Sequence, residues 1–366
     1  MAAARVTPGI DTEEQAALRD SVRGLLAAQS DVRRGYAGSP RYDVRLWESL
    51  TQQIGIAALA IPEEFGGIGA TLIETHVVLD ELGARLAPVP MLGSAVLAAQ
   101  AILRSGDSAA CKRLLPGIAE GTTIAALCWA NAHGWERAGV QAESGLLSGT
   151  AHYVLDAEYA DVLIVLAESG GVTTLHSVAA DAAGVTIKPH TVLDPTRALA
   201  TVHFDEVDAD AILAPEDLAD QLRTVAAIAL SADQVGTARA ALDLTVEYTK
   251  SRTQFGRAIG SFQALKHRMA DLFVLSESST TISYTAVDAL VRGDSEATAL
   301  AATARVYCTD ALRQTVSETI QLHGGIGITW EHDAHLYFKR AHGDSILFDS
   351  EGAALAALER VAGLGD

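Results

Sequence analysis

The sequence predicts a mainly α protein with a β domain at its centre. Three observations lead there: a helical apolar period before about residue 120, short β-prone runs from Thr122 to Asp210, and a return to long helical patterns after about residue 213. The expected units are residues 1–121, 122–212 and 213–366, the last forming a helical bundle.

The first helix is announced by "DTEEQAALRDSVRGLLAA", where Thr12 and Gln15 form a capping box and Leu18, Val22, Leu25 and Leu26 fall on one stripe. Helical patterns continue through "RLWESLTQQIG" and "TLIETHVVLDELGARL", separated by "PEEFGGIGA", whose proline and glycines mark a loop. The runs "HYVLD", "DVLIVLAE", "VTTLHSV", "GVTIKP" and "ATVHFDEV" are divided by Gly, Ser, Asp and Pro, as in a small antiparallel sheet or barrel. In "FQALKHRMADLFV", Phe262, Leu265, Met269, Leu272 and Phe273 share one helical face, which fits a bundle. The last helix is expected over "EGAALAALERVAG".

Composition narrows the function. At 366 residues, 49% apolar and 20% charged, the chain can bury a sizeable core. With 27 basic and 46 acidic residues its formal charge is −19, and no basic cluster offsets it, so nucleic acid is a poor partner. The three cysteines, Cys111, Cys128 and Cys308, are widely spaced, which suits a reducing cytosol better than a disulfide framework. The start "MAAARVTPGIDTEEQ" lacks the apolar stretch of a signal peptide, and no segment approaches the roughly 18 apolar residues of a membrane span. A soluble cytoplasmic protein is the expectation.

The stretch "QLHGGIGITWEHDAH" (residues 321–335) carries the densest chemistry. Its glycines would let backbone N–H groups approach a phosphate, while Glu331, His332, Asp333 and His335 are of metal-ligand type. The end of a helix followed by a turn would explain the same residues. A zinc site needs further ligands and a second shell, to which nothing else in the chain points, so no metal is expected.

Together with the helix–β–helix order, "YTKSRTQFGRAIGSFQALKHRMADL" (248–272) and "QLHGGIGITWEHDAHLYFKRA" (321–341) resemble the acyl-CoA dehydrogenase family, and "IPEEFGGIGA" (61–70) resembles its N-terminal loop. The resemblance spans essentially the whole chain. It implies FAD, an acyl-CoA substrate, an electron-transfer flavoprotein as acceptor, and a tetramer in which both segments reach the FAD of a neighbouring subunit. It places Arg252 beside the pyrophosphate, Gln254 and Phe255 near the adenosine half, and Gln321, Gly324 and Gly325 against the dinucleotide. The chemistry agrees, since a guanidinium presents a fixed fork of donors to a diphosphate and glycine permits close backbone approach. On this reading the acids and histidines of 331–335 cap and pack.

The departures cluster at the expected flavin and substrate. Where the family carries Thr-Glu-Pro-x-x-Gly-Ser-Asp, this chain reads "LCWANAHGWERAGV", and Leu155 and Asp156 replace an expected Thr-Asn pair. An Asp beside an electron-rich reduced ring would be unfavourable. The family's catalytic Glu, in a Tyr-Glu-Gly context, falls on Asp349 after Phe348, with Glu351-Gly352 two residues late, and the family's alternative base position is Ala226. Asp349 is one methylene shorter than Glu, and a misplacement of about 1 Å can lower a rate about 10²-fold. Two outcomes follow: an α,β-desaturating flavoenzyme with Asp349 as base, or a subunit of a heteromeric acyl-CoA dehydrogenase, of the kind acting on steroid side chains, that completes a partner's cofactor site.

Overall fold

The computed structural model describes residues 12–33, 42–348 and 351–361. Helix α1 (Glu13–Gln29) opens on the expected box: the Thr12 hydroxyl accepts from Gln15 N, and the Gln15 side chain accepts from Thr12 N. Val22 and Leu26 are buried in its stripe. Arg19 is buried too, against Asp80 and Glu81. After α2 (Val44–Ser49), α3 (Leu72–Ala84) carries a second capping box, Thr71 with Glu74. A π-helical stretch, Met91–Ala98, runs into α4 (Ala99–Ser105), and α5 (Ser108–Glu120) ends on left-handed Gly121.

Ten strands follow: β1 (Ala125–Cys128), β2 (Ala130–Asn131), β3 (Gly134–Ala138), β4 (Val140–Glu143), β5 (Leu146–Leu155), β6 (Val162–Ser169), β7 (Val172–Ala179), β8 (Val185–Pro189), β9 (Leu199–Asp208) and β10 (Asp210–Ile212). Eight form one sheet in the order β10-β7-β6-β4-β5-β9-β8, with β1 also paired to β6. Most pairings are antiparallel, as expected, but β1 and β4 both run parallel to β6. Alternation along β1 explains how the sheet is buried on two sides. Leu127 and then Trp129 face the helices beside Leu97 and Leu222, whereas Ala126 and Cys128 join Leu163, Val202 and Phe204 in a second core.

Helix α6 (Leu218–Ser251) begins the bundle, followed by the β11–β12 hairpin (Thr253–Gln254, Arg257–Ala258), α7 (Gln263–Arg292), α8 (Ala297–His323), α9 (Ala334–Asp344) and α10 (Glu351–Val361). Ile228 and Val235 of α6, Val287 of α7, and Ala304 and Cys308 of α8 share a core. Helices α3 and α6 touch backbone to backbone. A Cβ on Gly236 would stand 1.8 Å from the Asp80 carbonyl oxygen, and one on Gly83 2.2 Å from that of Asp233. One expected face needs correction. Of the α7 stripe only Leu272 is buried and Phe273 is exposed, while Ser276, Ser283 and Val287 further along take the core positions. The first turns of α7 lie at the edge of the bundle, where Met269 meets Thr249 of α6 and Arg268 pairs with Glu318 of α8, and Phe262, Leu265 and Met269 are only half-buried.

Candidate active site

A cleft of about 590 Å³ opens between the tip of the β2–β3 hairpin and the bundle. Ala132 to Glu136 and Tyr153 form one wall; Arg313 of α8, His342 of α9, Ser345 to Leu347, and Gly352 with Ala353 form the other. The hairpin tip is set locally, because the Asn131 side chain accepts from His133 N at 2.7 Å. It is also pinned to the bundle: Arg223 of α6 donates to the carbonyls of Trp135 (3.1 Å) and Glu136 (3.0 Å) and lies 5.5 Å from the Trp129 ring. In β5 the register to β9 shifts between Ala151 and Val154, and Tyr153 is driven to φ +55°. Its ring meets Trp135 at 5.4 Å and its hydroxyl donates to the Ala132 carbonyl at 3.2 Å. A non-glycine residue in that region is strained, and such strain gathers at sites that orient a side chain.

The inner end of the cleft is packed with side chains. Trp129, Trp135, Leu155 and Phe348, with Gly93, Leu97 and Leu127, leave about 10 Å³, no more than a single water needs. Phe348 meets Trp135 edge to face at 5.9 Å and has φ +57°. His152 also lines this inner end, and further polar groups stand in the outer part. There His342 is depressed below its ordinary value by burial and then by Arg313, and its Nε2 has no hydrogen-bond partner. A flat ring with hydrogen-bonding edges suits this lining: Trp135 and Tyr153 offer an aromatic wall, Arg313 a cation, and His342 an unmet nitrogen. The residues therefore fit the planar end of a flavin.

Asp349 lies outside the described residues, as does the Glu351 side chain, but Leu347, Phe348, Gly352 and Ala353 on either side line the cleft. Ala226 is buried in the core. Asp156 is absent from the cleft lining. It turns, at φ +59°, toward Gly93 N and a small hollow with Tyr42, Leu92 and Arg197, where burial pushes its carboxyl up to about 7.

The two glycine- and arginine-bearing motifs form a separate surface. Arg252 ends α6 with an exposed side chain, while its backbone N–H bonds Tyr248 and its carbonyl accepts from Ile259. The hairpin after it turns through Phe255 (φ +53°) and Gly256 (φ +75°), which leaves Phe255 90% exposed beside exposed Gln254. Tyr248 stacks on His323 at 4.3 Å, so this hairpin adjoins the loop that begins at Gly324. Gln321, Gly324 and Gly325 are exposed, and a Cβ on either glycine would meet nothing within 4 Å. Gly324, at φ +62° and ψ −144°, needs to be glycine for its backbone alone. None of these residues lines the cleft of its own chain.

Three of the polar residues of 331–335 have local contacts, although His335 Nε2 is buried without a hydrogen-bond partner. His332 Nδ1 accepts from Ala334 N, Asp333 takes Arg33 at 2.6 Å, and His335 packs edge-on against Trp330 at 4.6 Å. Among the described residues no group of three His, Cys, Asp or Glu side chains is placed to hold a metal ion. Sequence reasoning did not single out Trp135, Tyr153, Arg223, Arg313 or His342. Trp135 stands in the stretch that departs from the family's pattern, and a second Trp six residues after Trp129 is the available signal of an aromatic wall.

The family profile described as "Acyl-CoA dehydrogenase, N-terminal domain" matches residues 12–122, and "Acyl-CoA dehydrogenase, C-terminal domain" matches residues 219–355. Over 351 residues the chain is 41% identical to "Acyl-CoA dehydrogenase IpdE2" of Mycobacterium tuberculosis, covering 95% of this chain and 96% of that one. The chain belongs to the acyl-CoA dehydrogenase family. Among solved structures, the ChsE4-ChsE5 complex from Mycobacterium tuberculosis matches with a TM-score of 0.90 and 27% identity over 97% of this chain and 99% of the other. The Tcur3481-Tcur3483 steroid ACAD matches with a TM-score of 0.88 and 29% identity over 96% and 98%. The helix–sheet–bundle order is thus the acyl-CoA dehydrogenase fold. Among the described residues no helix is long and apolar enough to cross a membrane.

Proposed function

We propose that the protein is an FAD-dependent acyl-CoA dehydrogenase subunit that works in an oligomer, desaturating an acyl-CoA thioester at the α,β position and passing electrons to an electron-transfer flavoprotein. The observation that carries this reading is the division of the chain into two surfaces. A flavin-sized cleft lies on one, and Arg252, Gln254, Phe255, Gln321, Gly324 and Gly325 stand on another without lining that cleft. Residues that bind a dinucleotide yet stand apart from their own cleft are suited to a neighbour's cofactor. Arg252 would meet its pyrophosphate, Gln254 and the Phe255 turn its adenosine half, and Gln321 with the open glycines would approach the dinucleotide from the second segment.

FAD, when bound, supplies the acceptor for the hydride that leaves the β-carbon. The chain's own part is to hold the ring between the Trp135–Tyr153 wall and the Arg313–His342 edge, and to remove the α-proton with the Asp349 carboxylate. Family membership and the lining of the cleft by the residues flanking position 349 support that role for Asp349.

The closed inner pocket favours a second reading, a subunit that completes a different partner's site. Trp129, Trp135 and Phe348 fill the inner end of the cleft and leave only about 10 Å³ there for an acyl chain. Similarity to two proteins solved as two-chain complexes supports the same view. The test is an absorption spectrum and acyl-CoA oxidation with a ferrocenium-type acceptor, for the chain alone and co-expressed with a related dehydrogenase of the same genome. Stoichiometric flavin and turnover in the chain alone would refute the partner reading. A colourless, inert chain whose co-expressed complex is yellow and active would support it.

A further inference from the structure

The segment after α9 forms the inner wall of the cleft: Ser345, Ile346 and Leu347 line it, and Phe348 presses on Trp135 from a left-handed backbone. A bulky residue at positive φ persists only where its surroundings over-determine it. Two groups provide that hold. Buried Arg305 of α8 reaches up with one nitrogen to the carbonyls of Asp344 (3.3 Å), Ser345 (3.1 Å) and Leu347 (2.9 Å). Beneath, the Asp344 side chain is fully buried, and its Oδ1 accepts from Arg197 Nε at 2.8 Å.

The charges around Asp344 do not match one to one. Arg197 also donates to Asp233 of α6 at 2.9 Å, and Arg340 of α9 binds Asp233 at 3.1 Å and Asp194 at 2.6 Å. Two guanidinium groups thus bind three carboxyls, with a fourth, buried Asp156, also near Arg197, while the third cation, Arg305, is turned to main-chain carbonyls and the Thr309 hydroxyl. The odd oxygen is Asp344 Oδ2, buried without a hydrogen-bond donor. A carboxylate oxygen left so is costly, and a proton placed on it turns it into a donor. Burial, opposed by Arg197 and reinforced by the negative Asp233, pushes Asp344 up to about 7. Asp233 goes the other way: Arg197, Arg340 and a hydrogen bond from Asp344 together outweigh its burial.

We propose that Asp344 is a positioning residue that keeps its carboxyl protonated, donates Oδ2–H to the Asp233 carboxylate and, with Arg305, fixes the 345–348 wall against Trp135. Loss of that proton puts two adjacent carboxylates on Arg197 and loosens the wall. The hold itself needs no flavin; its bearing on Asp349 rests on the dehydrogenase reading.

The test is hydrogen–deuterium exchange of the Ile346 and Leu347 amides in the full chain between pH 6 and 8, corrected for the intrinsic rate, in the parent and in Asp344→Asn. The amide variant keeps a donor that cannot ionise. The parent should lose protection at least several-fold as pH rises through about 7, and Asp344→Asn should keep its protection throughout. Equal protection at both pH values in the parent, or a parallel loss in the variant, overturns the proposal. If Asp344→Asn does not fold, the infrared carboxyl band of Asp156→Asn decides, because that variant removes the other carboxyl raised to about 7 among the described residues. A protonated-carboxyl band present at pH 6 and gone by pH 8 supports the shared proton, and its absence refutes it. Should the protein pass these tests yet bind no flavin either alone or co-expressed with a related dehydrogenase, the functional reading fails while the hold stands.

Discussion

At the scale of residues, two side chains carry the proposed division of labour. Arg252 projects from the end of α6 with its backbone already fixed by Tyr248 and Ile259, so truncating it should leave the fold intact. Losing a charge-assisted hydrogen bond to diphosphate costs about 1.5–3 kcal/mol. Arg252→Ala should therefore weaken FAD retention in the assembled oligomer by roughly 10- to 100-fold, read as flavin released on gel filtration. Unchanged occupancy would remove Arg252 from the site. Asp349→Asn separates the two functional readings. If this chain supplies the base, turnover should fall at least about 10²-fold with flavin content unchanged; if a partner does, the complex should not respond. The turn geometry of the two motifs was legible because their residues answer local demands: Gly324 has a backbone only glycine adopts readily, and Phe255 and Gly256 form a tight turn. The aromatic plug was not, since Trp129 and Phe348 lie 219 positions apart and nothing local in either neighbourhood says that they share a pocket.

Among the elements, the contact between α3 and α6 allows least change. Gly236 lies in mid-helix, where alanine would ordinarily be preferred by about 1 kcal/mol. Here the added Cβ would overlap the Asp80 carbonyl and drive the helices apart. The gain in helix propensity loses to that clash, so Gly236→Ala should destabilise by about 1–3 kcal/mol, measured as a lower urea midpoint with little change in slope. The same contact carries an ion cluster, in which Arg239 of α6 and Arg19 of α1 share Asp80 and Glu81. Element types followed from period and capping: the Thr12–Gln15 box starts α1 where expected, and the runs read as β-prone became strands. What pattern reading could not supply was the neighbourhood of each strand. The parallel pairing of β1 and β4 with β6 joins segments separated by other strands, and the outward face of early α7 depends on packing beyond a single helix. Periodicity reports which side of an element is apolar, not which surface will cover it.

For the whole molecule, buried charge sets the response to acid. His76, enclosed between α3 and α7 with Nε2 on Ser283 and its ring against Tyr284, is driven down to about 3 by burial and then by Arg19. Its folded value lies below the unfolded one, so it contributes stability above about pH 6.5 that is lost as pH falls toward 3. The full linkage is on the order of 5 kcal/mol. Urea unfolding from pH 7 to 4 should show a drop that is smaller in His76→Gln, and parallel curves would show that His76 is not the group responsible. The exposed turn at Phe255 has a genetic consequence on the proposed reading. A chain that lends Arg252 and the Gly324 loop to its neighbour, and borrows in return, makes each site a joint product of two gene copies. Two defective alleles, one altered at Arg252 and one at Asp349, should then restore some activity when expressed together if this chain assembles with itself. Neither should rescue the other if both sites in the assembly depend on a different chain.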